Sequence, residues 1–505
     1  MTSIIGVDIG TSSCKCAIYD TDRSELVALA SKGYPLETPE PGRVELDPEL
    51  VLEKTLWVIQ KAVIQASPLG DAVSAIGIAG AAHCLLAVDR KGKPLTRCIT
   101  NLDTRAVSET VWLQDEIGSD AIYSITSQTP LEKYPVPKIL WLRNHYPEIF
   151  ESTAQFLLLK DYVINYLTGE FTTDHTSAAQ YLLYDQQIGD WSDLLLERLG
   201  FDRNKFPLVQ PATSLVGSLQ KNIALRLGLP LGTPVAAGVT DTFGAALGID
   251  ASRPGRLFET TGTSTALVAY HNSLPIDPSH RLELTRLCPS VYSASIILHG
   301  TGATLDWVQE LLGFFVGSRP KKSNYKEMEV AASMIPPGSE NLLFLPYLGG
   351  GVRWLPNANF PGVIFGLRLA HKKAHLFRAV LEGVAYSLRI SLDILKETGV
   401  HCREVRVAGG GAQNRLWRQI KADVLKIPVI QPSVLQPATL GAGLIAGKAV
   451  GIYDDLFAAA ESYIKFVDRC EPNSENQQAY DRLIQVFKKL PHSLEKTFLS
   501  FSETT

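Results

Sequence analysis

Residues 4–20 read IIGVDIGTSSCKCAIYD: an apolar run with Asp8 near its end, a Gly10-Thr11-Ser12-Ser13 turn, then a second alternating run. Apolar residues at a spacing of two on either side of a glycine predict a β-hairpin. The turn accounts for Gly10, but a hairpin requires neither a carboxylate at the end of a buried strand nor three hydroxyls in a row. Successive backbone N–H groups and hydroxyls exposed by such a turn are donors for phosphate oxygens. A carboxylate beside phosphates, with no fixed cation supplied nearby, calls for a magnesium ion held directly or through water. A plain hairpin with a capping Asp is the alternative, and short Gly-Thr-Ser turns are weak motifs on their own.

The turn recurs. LFETTGTSTALVAY (257–270) again reads strand, Gly262-Thr263-Ser264, strand, about half a chain later. Two further pairs keep the same order: AIGIAGAAH (75–83) with VRVAGGGAQN (405–414), and DTFGAALG (241–248) with ATLGAGLIAG (438–447). Three matched pairs predict a duplication, with one domain over 1–250 and a second over 251–505. The length of 505 residues suits two cores.

Around these motifs, LVALASKGYPL (26–36) reads as a third strand beside the hairpin. DPELVLEKTLWVIQKAVIQA (47–66) reads as a helix opened by Asp47 and Pro48. VSAIGIAG (73–80) has the continuous apolarity of a buried strand. PKILWLRNHYPEIFES, KDYVINYLTG and DWSDLLLERLG read as helices, the last stopped by Gly200.

The composition is that of a folded protein, 45% hydrophobic and 20% charged, with a net charge of −4 that points to neither nucleic acid nor a membrane surface. No cationic start leads into an apolar leader, since Asp8 interrupts the first apolar run. Seven scattered cysteines without a C-x-x-C favour a reduced, cytoplasmic protein, with Cys14 and Cys16 as buried thiols on one strand face.

Three segments carry candidate chemistry. VAGGGAQNRLWRQIKADVL (407–425) delivers Gly409, Gly410 and Gly411 from a strand to a helix start, where a ligand can come close to bare backbone. No G-K-[ST] follows, so it is not a P-loop; a tight connection needing one glycine is the alternative. AAGVTDTFGAALG (236–248) sets Asp241 between an apolar strand and a small-residue helix. A helix start lowers a carboxylate pKa, and an ionised Asp in a cleft can accept the proton of an attacking hydroxyl. Asp is also a favoured N-cap. His83 follows the strand of residues 74–80, and Asp103 with Arg105 lies on the loop NLDTRA (101–106), where these groups could bond sugar hydroxyls. A core histidine and a surface salt bridge are the bland readings.

Together these residues resemble the FGGY family of carbohydrate kinases over nearly the whole chain. GVIFGLRLAHKKAHLFRAVLEG (362–383) is similar to the family's second signature, with its spacing intact from Gly362 to Glu382. PVPKILWLRN (135–144) is similar to the first, although Lys133 stands where the family usually has another residue. PEPGRVELDPE, PKILWL, LPYLGGGVR and RQIKADVLKIPV are most similar to the xylulokinases within it. The resemblance implies an α/β fold of two actin-like, ribonuclease-H-like domains with a catalytic cleft between them, the sugar mainly on the first and the nucleotide mainly on the second. It implies ATP and Mg2+, with Asp8 holding the metal and Thr11 and Ser12 lining the phosphate path. His83, Asp103 and Arg105 would contact the sugar, Asp241 would be the general base, and Thr263, Gly300, Gly409, Gly410, Gly411 and Asn414 would contact ATP. The expected reaction phosphorylates a terminal hydroxyl of a small carbohydrate, a ketopentose such as D-xylulose, with gluconate, a polyol or another ketose as alternatives. A homodimer is a further expectation. An actin-like ATPase or a non-catalytic sugar sensor are more remote readings, disfavoured by Asp8, Asp241 and the sugar-side residues. Two positions depart from the xylulokinase pattern: Ala82 replaces a common Met before the His, and Asn101 replaces a common Trp two places before Asp103.

Overall fold

In a computed structural model of the chain, residues 2–67, 72–288, 290–313, 315–316, 319–320, 322–355 and 360–502 are described. The opening hairpin forms as predicted. Strand β1 (Ser3–Ile9) pairs antiparallel with β2 (Ser13–Asp20), which pairs with β3 (Glu25–Gly33). Ile4, Ile5, Val7 and Ile9 are fully buried, so β1 is covered on both faces and Asp8 is its one partly exposed interior residue. Helix α1 (Pro48–Gln65) starts where predicted, with the Asp47 carboxylate accepting from the N–H groups of Glu49 and Leu50.

The later strands follow, all parallel to β1 except an edge strand antiparallel to its neighbour. β4 (Val73–Gly80) runs beside β1, then β5 (Leu215–Ser218), β6 (Pro234–Ala236) and β7 (Val239–Thr240) complete the first sheet. Its order is β5-β6-β4-β1-β2-β3, with β7 also on β4. The second sheet repeats the plan. β8 (Arg256–Thr261) and β9 (Thr265–His271) form the hairpin, and β10 (Glu283–Cys288) and β11 (Val291–Leu298) extend it. β12 (Glu404–Gly409) runs parallel to β8, followed by β13 (Val429–Pro432) and β14 (Phe466–Cys470), giving the order β10-β11-β9-β8-β12-β13-β14. In both sheets an antiparallel hairpin is joined through its first strand to a parallel strand that enters much later. This is the duplicated ribonuclease-H-like architecture that the three sequence pairs predict.

Register decides where the ends of the strands meet. Ile9 lies opposite Gly80, and Gly80 opposite Thr240; Thr261 lies opposite Gly409. Asp8, Thr11, His83 and Asp241 therefore gather at the carboxyl edge of one sheet, and Gly262–Ser264 and Gly409–Gly411 at that of the other. In open α/β sheets this edge is where ligands bind.

The third sequence pair has a packing role. Helices α3 (Asp241–Gly248) and α5 (Pro437–Ala449) cross so closely that a Cβ on Gly441 would fall 1.9 Å from the Gly244 carbonyl oxygen. These glycines occupy equivalent places in the repeat, so the halves meet near a pseudo-two-fold axis. Helix α5, although late in the chain, also lies on the first sheet: a Cβ on Gly6 or Gly77 would fall 1.7 or 1.9 Å from the carbonyls of Thr439 or Ala442.

Between β4 and β5 an insertion builds its own core around Tyr134, Trp141, Phe156 and Tyr184. It also touches the second sheet. Tyr123 donates to Leu282 O at 2.9 Å, Gln128 to Leu284 O at 3.1 Å, and Arg286 N–H to Gln186 Oε1 at 2.7 Å.

Candidate functional site

The hydroxyl turns look as expected. Gly10 N–H closes the first by donating to Ser13 O at 3.0 Å. The hydroxyls of Thr11, Ser12 and Thr263 make no hydrogen bond among the described residues, so they remain available to a ligand. Gly300, at φ +67°, starts a helix beside the second turn, and its N–H reaches Ser264 Oγ at 3.3 Å.

Asp8 corrects one premise. The strand register places Lys15 directly opposite, with Nζ 3.6 Å from Asp8 Oδ2, so a fixed cation is present after all. Burial holds the Asp8 carboxyl above its usual range, an effect that Lys15 only partly offsets. The lysine was findable by counting outward from the Gly-Thr-Ser turn.

Asp241 corrects a second. It begins α3 but is not the N-cap, which is Thr240. Its Oδ1 accepts the Thr242 N–H at 2.6 Å. The helix start was expected to lower its pKa; instead burial, then the nearby Asp8 carboxylate, push it up from 3.8 to about 6, against the pull of Thr242. The side chain keeps partial contact with solvent on its open side. At neutral pH it is largely ionised and holds a proton far more readily than an ordinary Asp, which suits a general base.

Next to it lies a cavity of about 120 Å³ lined from both halves, by Ala82, His83, Thr240 and Thr242 of the first and by Ala266 and Glu283, among others, of the second. His83 is 7% exposed and has positive φ (+62°), a strained conformation of the kind that accumulates at functional sites. Its ring packs edge-on against Tyr134 at 4.8 Å. Burial, with Lys133 and Lys138 nearby, holds the imidazole well below its usual range, so it is neutral. Its Nε2 has no hydrogen-bond partner among the described residues, nor does the buried Asn101 Oδ1.

Asp103 and Arg105 sit differently from the expectation. Asp103 is 1% exposed; its carboxylate accepts from Arg105 Nε (2.8 Å), Arg105 Nη2 (2.7 Å), Arg105 N and Val44 N. Arg105 also reaches Glu45 at 2.5 Å and lies over Trp141, lining a separate hollow with Arg43 and Arg97. The pair orders the loop that carries Asn101; neither side chain lines the cavity beside His83.

The glycine run opens a short 3₁₀ turn, Gly410–Gln413, rather than the α-helix itself. A Cβ on Gly410 would meet nothing within 4 Å, whereas on Gly411 it would lie 2.7 Å from Thr261 Cβ and 2.8 Å from the Trp417 ring. Gly411 is thus needed for packing and Gly410 leaves open space. Asn414 is buried and caps α4 (Arg415–Leu425), its Oδ1 accepting Trp417 N–H at 2.8 Å.

Two charged residues, Lys138 and Glu283, lie outside the sequence candidates. Lys138, fully buried on α2 (Pro135–His145), donates to the carbonyls of His83 (2.9 Å), Thr100 (2.7 Å) and Lys133 (2.8 Å), tying together the three segments that carry them. Burial pushes its ammonium down to about 8. A lysine within the apolar run PVPKILWL was the signal, since such a charge is tolerated only when fully bonded. Glu283 pairs with Lys133 (2.8 Å) across the two halves and with Arg353 (3.0 Å). Burial alone would raise its carboxyl, but the two cations outweigh it and hold it at about 2. No local signal marks Glu283.

All seven cysteines are free, and no helix among the described residues is long and apolar enough to cross a membrane.

Comparison with known proteins agrees with this geometry. Residues 3–248 match the N-terminal domain, and residues 258–450 the C-terminal domain, of the FGGY family of carbohydrate kinases. The chain is 30% identical over 493 residues to a xylulose kinase of Lactococcus lactis subsp. lactis (strain IL1403), covering 97% of this chain and 96% of that one. It is 28% identical over 509 residues to a gluconokinase of Bacillus subtilis (strain 168), covering 100% and 98%. The crystal structure of ligand-bound xylulose kinase from Lactobacillus acidophilus superposes with a TM-score of 0.91 at 27% identity, covering 99% of this chain and all of that one. With both halves matched in order and a cleft edge built from the two repeated turns, the chain belongs to the FGGY family of carbohydrate kinases.

Proposed function

We propose that the protein transfers the γ-phosphoryl group of ATP to a terminal hydroxyl of a small carbohydrate, a ketopentose such as D-xylulose. The observation that carries this reading is Asp241: a carboxylate raised to about 6, at a sheet's carboxyl edge, beside a cavity lined by a neutral His83 whose Nε2 has no hydrogen-bond partner among the described residues. Asp241 accepts the proton as the hydroxyl attacks in line, and His83 orients the sugar through its free ring nitrogen. Thr11, Ser12 and Thr263 offer hydroxyls to the phosphates. Gly300, Gly409, Gly410 and Gly411 offer bare backbone, and Asn414 fixes the helix behind them. Catalysis of this kind is mostly positioning and charge stabilisation.

Magnesium fits the donor set. No group of three or more His, Cys, Asp or Glu that could hold a metal exists among the described residues, and Mg2+ commonly takes only one or two carboxylates together with water and substrate phosphates. Asp8 is the residue that would hold it, relieving the repulsion that Asp8 exerts on Asp241. When bound, the ion neutralises charge on the phosphate oxygens. The family and these thiols support a cytoplasmic setting.

A sugar acid such as gluconate is the second reading. It is favoured by Ala82 and Asn101, which replace bulkier residues on the sugar side and leave a buried amide oxygen unpartnered, and by the similarity to a gluconokinase. An ADP-release assay across ketoses, polyols and aldonates tests both. D-xylulose giving the highest kcat/KM supports the first reading, gluconate the second, and release on no carbohydrate overturns the function.

A further inference from the structure

Beneath the strand ends that lead to His83 and Asp241 lies a charged group with no part in the proposed chemistry. Lys160, Asp161 and Asp174 are 1%, 0% and 0% exposed. The Lys160 stem runs between the two strand ends: a Cβ on Gly80 would lie 2.5 Å from Lys160 Cβ, and one on Gly238 3.4 Å from Lys160 Cδ. Its Nζ donates to Asp161 Oδ1 at 2.6 Å and Ala237 O at 2.8 Å, and lies 3.2 Å from Asp174 Oδ1. Burial alone would lower this ammonium's pKa, but the two carboxylates reverse the effect and raise it. A buried ionic group of this kind is seldom the most stable way to fill a core, so its geometry calls for another explanation.

That geometry ends at the catalytic strand. Asp174 Oδ2 accepts from the Thr176 N–H at 2.8 Å and from the Thr176 hydroxyl. With its proton committed to the carboxylate, the hydroxyl has only lone pairs to offer elsewhere. One of them accepts the Thr240 N–H at 2.9 Å. Thr240, itself buried, immediately precedes Asp241. An unbroken chain of contacts thus joins Lys160, Asp174, Thr176 and Thr240.

We propose that Asp174 and Thr176 are positioning residues for phosphoryl transfer: the hydrogen bond from Thr240 N–H to the Thr176 hydroxyl fixes the backbone that aims the Asp241 carboxylate. This rests on Asp241 being the base. Displacement of a reacting group by about 1 Å can cost about a hundredfold in rate. Valine at 176 keeps the shape, loses both bonds and leaves Thr240 N–H buried without an acceptor.

The test compares Thr176→Val, Thr176→Ser and Asp241→Asn in the full-length enzyme, measuring kcat, the dissociation constants for sugar and ATP, the kcat–pH profile and the melting temperature. Thr176→Val is expected to lower kcat about tenfold to a hundredfold and to move the acid limb of the profile, with both dissociation constants within about threefold. Thr176→Ser, which keeps the hydroxyl, is expected to restore kcat to within about threefold of wild type. If the valine variant does not fold, Thr176→Ala takes its place with the same expected pattern. Wild-type kcat in the hydroxyl-free variant, alongside a slow Asp241→Asn, overturns the positioning role alone. A near-wild-type Asp241→Asn overturns the base and the positioning role together. Failure of Thr176→Ser to restore kcat also overturns the proposal, because the effect would then follow the methyl packing and not the hydrogen bond.

Discussion

Replacing Asp241 with Asn is expected to give a slower enzyme that is also more stable at neutral pH. In the folded protein this carboxyl is raised from 3.8 to about 6, first by burial and then by Asp8. At about 1.4 kcal/mol per pKa unit, ionising it in the cleft costs ~3 kcal/mol; contact with solvent on the open side reduces this to about 1–3 kcal/mol. The fold holds the proton more tightly than the unfolded chain does. The corresponding stability is therefore fully present below about pH 4 and is lost as pH rises through about 6. Asparagine carries no titrating proton, and its Oδ1 can still accept the Thr242 N–H. The stability difference between variant and wild type should accordingly be near zero at pH 4 and reach about 1–3 kcal/mol in favour of the variant at pH 7. Loss of a general base typically costs about 10²–10⁴-fold in kcat, while the dissociation constants for sugar and ATP change little. In the wild type, kcat/KM should fall about tenfold between neutral pH and pH 5 as Asp241 of the free enzyme is protonated, and the variant's residual rate should lack that limb. The assay is ADP release across a range of sugar concentrations from pH 5 to 8, with thermal unfolding at pH 4 and 7. A variant within a few-fold of wild-type kcat would remove Asp241 from the mechanism. Equal melting temperatures of variant and wild type at pH 7 would refute the burial argument.

Gly410→Val should weaken ATP binding at least about tenfold by steric exclusion, leaving sugar affinity and melting temperature near wild type, because its Cβ points into open space. Gly411→Val should instead lower the melting temperature, since it meets Thr261 and Trp417; normal ATP affinity in Gly410→Val would reassign the glycine run to folding. Ala82→Met combined with Asn101→Trp should shift relative kcat/KM toward D-xylulose over gluconate, and equal losses on every substrate would show that these positions do not select. Lys138→Met should strip three buried carbonyls of their donor, at about 1–3 kcal/mol for each group left unpaired. It should raise the sugar KM more than the ATP KM, and an unchanged sugar KM would separate Lys138 from the sugar loops.

Much of this protein was legible in short stretches of its sequence. The hairpin around Gly10–Ser13, its copy around Gly262–Ser264, the Asp47-capped helix and the strand-to-helix junction at Asp241 follow from spacing and turn chemistry, which act between neighbours in the chain. The order of the repeated motifs was enough to predict two similar halves. Folding decided the rest. The helix-start rule predicted a lowered Asp241 pKa, yet the packed cleft raised it, because desolvation and the Asp8 charge come from other strands. Asp103 and Arg105 looked like sugar ligands side by side, but Val44 and Glu45, some sixty residues earlier, enclose them. Glu283 reaches Lys133 from 150 residues away, and helix α5 of the second half lies on the first sheet. Local conformation depends on a few adjacent residues; burial, opposed charges and unpartnered polar atoms depend on everything the fold brings within reach.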